Sequence, residues 1–368
     1  MRNLFYLSRF ILCSLALGLF FSCDDDGKVS DPGSSNTGVF ILNQGLESMN
    51  DATISFLDLT EESDTYIEDI TNGSLGDTGQ DMIIYGSKLY VSVSGSNYIQ
   101  VFDAVNKNRV RTIDVKKDGQ SPSMPRSLAS YEGKVYATTM DGYVIRIDTL
   151  SYNIEAWTEV GPNPEGIAAV KVNGKGKLYV ANSDGYNWEN DYANGKSVSV
   201  VDIETFKEDA NRITVGLNPA VLHADMYGNV YVICNGNYFD ILASFVKIDT
   251  KTNQTQVIED IQPYNFTING KYCYFYNSVY TSSTSLAVGV YDVEAQRLVT
   301  DDFITDDTSL TNPYGIGVDP YTGDVYVGDS PEYGLPGKVY IFNKEGKCNR
   351  TLPSRINPCV FAFYRYIE

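Results

Sequence analysis

The chain has 368 residues, 47 acidic against 28 basic, a formal charge of −19 and one histidine. A surface this acidic repels a phosphate backbone, which argues against nucleic acid as a partner, and a lone histidine excludes any multi-histidine metal site. The 28 Tyr and 31 Gly suit half-buried strands joined by turns rather than helices.

Residues 1 to 22 read as a targeting segment. Arg2 and Arg9 flank the start of an apolar run, Phe10 to Phe21, that is short for a bilayer span. It ends at Phe20-Phe21-Ser22-Cys23, which resembles a bacterial lipobox with Phe where Leu is usual. That resemblance makes Cys23 the lipidated first residue of the mature protein; the alternative is an ordinary secretion signal with an incidental Cys. Asp24-Asp25-Asp26 follows at once. A Cys with an acidic cluster behind it resembles the lipoprotein export signal of Bacteroidota, which implies an outer-membrane protein facing the exterior and held by lipid alone. Residues 23 to 37, rich in Asp, Gly and Ser, read as a flexible linker. Losing Arg2 and Arg9 with the signal takes the charge to −21.

Residues 38 to 368 repeat one β-unit about seven times. Its thread is a strand carrying an apolar-aromatic pair, at Val39-Phe40, Leu89-Tyr90, Val135-Tyr136, Leu178-Tyr179, Val230-Tyr231, Tyr272-Cys273 and Val325-Tyr326. The second members lie 50, 46, 43, 52, 42 and 53 residues apart. Strand composition at that period predicts an all-β, seven-bladed β-propeller of four-stranded antiparallel blades, and overrides the two domains that length alone suggests. The clearest unit runs from Pro164 through a turn at Asn173 to Gly176, a second strand Lys177 to Asn182, a third at Ser197 to Asp202 and a fourth at Arg212 to Val215. Third strands close on Asp58, Asp103, Asp148, Asp202, Asp249, Asp292 and Asn343, whose short acceptor side chains suit turns, so they are discounted as catalytic groups. Prolines lead into six blades, at Pro125, Pro164, Pro219, Pro263, Pro313 and Pro358, with Gly79-Gln80 in the second. The chain starts on a second-type strand, Val39 to Asn43, and ends on a first-type strand, Cys359 to Arg365, so the C-terminal strand is expected to complete the N-terminal blade. Leu178-Tyr179-Val180-Ala181-Asn182 and Tyr231-Val232-Ile233-Cys234-Asn235 resemble the YVTN-type propeller repeat of surface-layer proteins, a match that speaks to fold and little to function.

Function in such a wheel sits in the loops of one face. Turns between first and second strands are terse, whereas loops between second and third are long: Gln44 to Asp51, Ser183 to Lys196, Gly236 to Ala243, Ser278 to Ser285 and Ser330 to Gly337. They carry Tyr186, Asn187, Trp188, Tyr192, Tyr238, Phe239, Tyr280 and Tyr333, a mixture of flat rings and polar tips suited to recognition, or else rings that pack the loops onto the wheel. The residues after the lead-in positions should surround the channel mouth: Gln80, Arg126, Glu165, Ala220, Tyr264, Tyr314 and Cys359. Their chemistry differs from blade to blade, which suits an asymmetric ligand, although Arg126 and Glu165 could simply pair.

No catalytic set emerges. His223 has no nucleophile context, and Glu165 with Asp225 is a nominal carboxylate pair without distinguishing spacing. Ser183 to Trp188 is similar to a sialidase Asp-box but lacks its full pattern, and Asp184, Glu189 and Asp191 lack the alternation of a calcium loop. Cys234, Cys273, Cys348 and Cys359 show no close pair for a metal, while Cys348 and Cys359 are near enough in sequence to leave a disulfide open. Anchor, acidic tail, propeller and aromatic loops together resemble the BtuG-type cobalamin-binding lipoproteins of Bacteroidota. The resemblance implies a binding protein rather than an enzyme, with a corrinoid as ligand and not as cofactor, Arg126 facing its phosphate, and a TonB-dependent outer-membrane transporter as partner. A glycan-binding lipoprotein or an interaction scaffold is the alternative, and a propeller hydrolase or lactonase a further one.

Overall fold

The computed structural model describes residues 36–60, 65–73, 75–117, 123–277, 287–332 and 334–366. They form seven antiparallel sheets in a closed ring. Blade 1 comprises Pro358–Tyr366, Asn36–Asn43, Thr53–Asp58 and Tyr66–Ile67; blade 2 comprises Gly79–Tyr85, Lys88–Val93, Tyr98–Asp103 and Arg109–Asp114. Blade 3 runs Pro125–Tyr131, Lys134–Thr139, Tyr143–Asp148 and Ile154–Glu159. In blade 4, Pro164–Val172, Lys175–Asn182 and Ser197–Asp202 are followed by an outer edge in two pieces, Lys207–Glu208 and Ile213–Thr214. Blades 5, 6 and 7 start at Pro219–Ala224, Asn265–Asn269 and Pro313–Val318.

The expected fourth strand of blade 4 is thus shorter than its apolar pattern suggested. Between its pieces the chain leaves the sheet, and Arg212 closes the excursion by donating to Glu208 from Nε at 2.8 Å. The turn before the second strand is also tighter than expected. Asn173 and Gly174 both adopt positive φ, 51° and 83°, so two residues make the hairpin and Val172 pairs directly with Lys175. Asn-Gly is the pair that tolerates such a turn.

The ring closes as anticipated. Pro358–Tyr366 pairs antiparallel with Asn36–Asn43 in blade 1, Phe40 opposite Ala362 and Ile41 opposite Phe361. Seven apolar clusters fill the wedges between neighbouring blades rather than one central core. The wedge between blades 7 and 1 joins Tyr326, Val339 and Leu352 to Val39, Leu57 and Phe361 across the closure. The repeated aromatic of the second strands belongs to these wedges: Phe40, Tyr90, Tyr136, Tyr179, Tyr231 and Tyr326 are all buried.

The seven closing Asp and Asn side chains are turn caps. Asp103 Oδ1 accepts the Val105 and Asn106 amides, Asp292 Oδ1 those of Glu294 and Ala295, and Asn343 Oδ1 those of Glu345 and Lys347. Several also pair with a lysine near the start of the second strand, as Lys88 with Asp103, Lys134 with Asp148 and Lys177 with Asp202. All four cysteines of the described residues are free. Cys348 lies on the outermost strand of blade 7 and Cys359 on the innermost strand of blade 1, so the bridge left open by their spacing does not form.

Candidate functional site

Six of the seven inner strands break register just after the lead-in residue, at Gly79/Asp81, Pro125/Leu128, Pro164/Ile167, Pro219/Leu222, Pro313/Gly315 and Pro358/Val360, while that of blade 6 pairs without a break. The break frees backbone groups that neighbouring blades then satisfy. Ser94 Oγ donates to the Pro125 carbonyl at 2.6 Å and Ser92 Oγ to that of Arg126, while Thr138 Oγ1 donates to that of Glu165 at 2.7 Å. Asp81 closes the same gap with its side chain, accepting the Met82 and Leu128 amides at 2.7 Å each. A ring of bulged strands is thereby stitched blade to blade, and its first side chains are held in fixed positions at the channel mouth.

These residues and the long loops enclose one cavity of about 900 Å³ running into the central channel. Gln80, Arg126, Glu165 and Tyr314 line it from the inner strands, Tyr264 from just before that of blade 6, and Tyr186, Tyr192 and Tyr238 from the loops. Arg126 and Glu165 take the pairing alternative: Nε and Nη2 donate to the two carboxylate oxygens at 2.8 and 3.0 Å. Nη1 donates to Gln80 Oε1 at 2.7 Å, so all three guanidinium nitrogens are engaged and the Arg126 and Glu165 charges cancel. The Tyr314 hydroxyl donates to Gln44 Oε1, across the ring closure between blades 7 and 1.

Two loops of blades 4 and 5 carry the aromatic side of the mouth. In the first, buried Asp184 accepts the Asn194 amide at 2.9 Å and the Asn187 side chain at 2.8 Å. In the second, Asn237 Oδ1 accepts the amides of Phe239, Asp240 and Ile241 at 3.1, 3.1 and 2.9 Å. The Tyr192 and Tyr238 rings meet edge-on at 6.2 Å and tie the loops together. Desolvation of the Tyr238 hydroxyl raises its pKa and a bond to Asn218 acts in the other direction, although the residue as a whole is 69% exposed. Tyr186 reaches back to blade 3, its hydroxyl 3.1 Å from Met124 Sδ.

Three expected residues stand apart from the cavity. Asn187 is spent on Asp184 and Asn190 within its own loop. Trp188, on the turn Trp188–Asn190, and Phe239 are exposed and do not line the cavity. Tyr280, Tyr333 and the lipidation site Cys23 lie outside the described residues. Asp225 caps a turn at the far end of its strand, accepting from Tyr227 and Asn229, so it forms no catalytic pair with Glu165. Among the described residues, no three His, Cys, Asp or Glu side chains are grouped to hold a metal.

The structure also adds residues that sequence reading passed over: Gln44, Asn218 and Asn235 at the mouth, Asp81 and His223 deeper in. For Asn218 a signal existed. Asn precedes the lead-in proline at Asn163, Asn218, Asn312 and Asn357, and Asn163, Asn218 and Asn357 adopt positive φ, 44°, 58° and 57°. That conformation directs the turn into the inner strand and leaves an amide at the rim.

No family model and no curated protein matches the sequence. Solved structures match in fold. A putative 6-phosphogluconolactonase from Bacteroides uniformis superposes with TM-score 0.63 at 11% identity, over 89% of this chain and 100% of that one. A quinonprotein alcohol dehydrogenase-like protein from Bacteroides thetaiotaomicron gives 0.59 at 18%, over 89% and 78%. Hydrazine synthase from Kuenenia stuttgartiensis gives 0.58 at 17%, over 73% and 77%. At such identities the likeness shows that this chain is a β-propeller and carries no activity with it.

Proposed function

We propose that this protein captures a corrinoid at the mouth of its propeller. One observation carries the reading: five tyrosines and several amide side chains converge on a single large cavity in which the Arg126 and Glu165 charges neutralise each other. Flat rings with hydrogen-bonding tips fit a broad, partly planar ligand fringed with amides, and an electrically balanced rim tolerates a neutral or zwitterionic one. Arg126 is held by Glu165 and Gln80, so a ligand phosphate meets it only through its remaining N–H donors or in competition with those two partners. In the same reading Cys23 anchors the protein by lipid, Asp24 to Asp26 direct it to the cell exterior, and a TonB-dependent transporter receives the ligand.

The second reading is glycan capture, favoured by Trp188, whose exposed ring on a fixed turn is a stacking platform outside the cavity. Calorimetric titration of the purified domain with cyanocobalamin and with a glycan panel separates the two. The corrinoid reading expects saturable heat with cyanocobalamin, an affinity loss of at least about tenfold for Tyr238→Ala or Tyr264→Ala, and little change for Trp188→Ala. Heat with glycans alone, abolished by Trp188→Ala, reverses the assignment.

A further inference from the structure

The mouth of the cavity is two-sided. Tyr186, Tyr192, Tyr238 and Tyr264 come from the side of blades 4, 5 and 6. On the other side a polar chain runs from blade 7 through blades 1, 2 and 3 to blade 4. Tyr314 donates to Gln44, and the Gly79 amide donates to the Gln44 carbonyl at 3.0 Å, which seats Gln80 beside it. Gln80 then accepts from Arg126, and Arg126 holds Glu165. The two glutamines stand at the centre of this chain, and their neighbours fix which way each amide points. The Arg126 guanidinium has hydrogens and no acceptor, so Gln80 must turn its Oε1 toward Nη1. The Tyr314 hydroxyl engages Oε1 of Gln44 in the same way. In each case the oxygen is occupied and the NH₂ group is left over. Neither Nε2 makes a hydrogen bond to a described residue, and both half-buried side chains line the cavity, to which these nitrogens stay open.

Two adjacent donors of this kind are satisfied by acceptor oxygens, and an occupant that covers them without offering any leaves them unpaired at a cost. Charge selects among acceptors. Glu165 neutralises Arg126, and the chain as a whole carries −19. An anionic oxygen would therefore give up its hydration without meeting a free cation, whereas an uncharged carbonyl oxygen loses far less. We propose that Gln44 and Gln80 form a donor edge that recognises uncharged carbonyl oxygens, as in carboxamide groups, and so sets which side of the ligand faces blades 1 and 2. The proposal rests on the corrinoid reading of the mouth and deepens it, but the edge can also be probed without a corrinoid.

The glutamine NH₂ resonances of the wild-type protein, assigned through bonds, report on the edge directly. N,N-dimethylacetamide, which accepts and cannot donate, should move those of Gln44 and Gln80 further than those of Gln254 and Gln256, exposed on the outer strand Gln254–Ile258 of blade 5. Acetate should not. Shifts no larger than at the two exposed glutamines, or an equal response to acetate, overturn the edge. With cyanocobalamin, Gln80→Glu keeps an acceptor for Arg126 but puts an oxygen where the donor was, and Gln44→Glu does the same beside Tyr314. Each should weaken binding at least about tenfold. Cobinamide, which has the carboxamides and no phosphate, should lose as much; a loss confined to cobalamin would assign the edge to phosphate and overturn the proposal. Affinities within about twofold of wild type in both variants sink the donor edge and leave the corrinoid reading standing. A selective dimethylacetamide response without any cyanocobalamin heat sinks the corrinoid reading alone.

Discussion

Single side chains in this wheel divide into those that repeat and those that do not, and the two groups carry different consequences. The second-strand tyrosines repeat because each fills a wedge, yet the Tyr90 hydroxyl is buried without a hydrogen-bond partner in the described structure. Phe40 occupies the same position in blade 1 and is equally buried. Tyr90→Phe should therefore leave stability within about 0.5 kcal/mol or raise it, because only an unpaired polar atom is lost; a thermal melt checks this, and a clear drop would show a partner for the hydroxyl. Asp81 and His223 titrate against each other. Burial pushes the Asp81 carboxyl up to about 6 from 3.8, so between those values the fold holds a proton that the unfolded chain has released, and stability falls as pH rises across the window. Desolvation lowers the His223 imidazole below its ordinary 6.5 even though the channel leaves the residue exposed, so the unfolded chain gains the proton first, and stability falls as pH drops below 6.5. Urea midpoints over this range should rise more steeply with pH in Asp81→Asn and more shallowly in His223→Phe. Parallel curves for wild type and both variants would contradict the assignment. Neither residue was legible as a site: Asp81 looks like one more strand acid, and only the register break shows why its carboxylate is needed there.

At the scale of elements, the long loops are ordered by their own polar side chains rather than by packing against the wheel. Asn237 alone caps three amides of the loop that presents Tyr238. Asn237→Ala should loosen the loop and lower ligand affinity at least about tenfold while moving the melting temperature by only a few degrees. Equal affinity with a lower melting temperature would mean that the cap serves the fold and not the site. Sequence reading found these loops from their length and aromatic content, and placed Tyr186, Tyr192 and Tyr238 on the cavity's side of the wheel. It also grouped Trp188 and Phe239 with them, because composition cannot say which way a turn faces. In the structure neither of those two lines the cavity.

For the whole molecule, closure is the decisive feature. Without Pro358–Tyr366, blade 1 loses its innermost strand, the wedge of Phe361 against Tyr326 opens, and a strand edge faces solvent. A chain ending at residue 356 should lose cooperative unfolding and aggregate; a soluble, cooperatively melting truncation would show that the ring does not depend on this strand.

The sequence by itself determined the number of blades, their strand order and the closing strand, since alternation and repeated turn residues are local properties that recur every forty to fifty residues. It also marked the residues after the lead-in positions as rim. What those residues do together was decided only by tertiary structure. Arg126 and Glu165 lie 39 residues apart and Tyr314 lies 270 from Gln44, and whether such groups bond or stand free depends on distances that only the closed ring sets. The surroundings of His223 belong to the same category. A lone histidine on a strand says nothing until seven blades enclose it in a common channel.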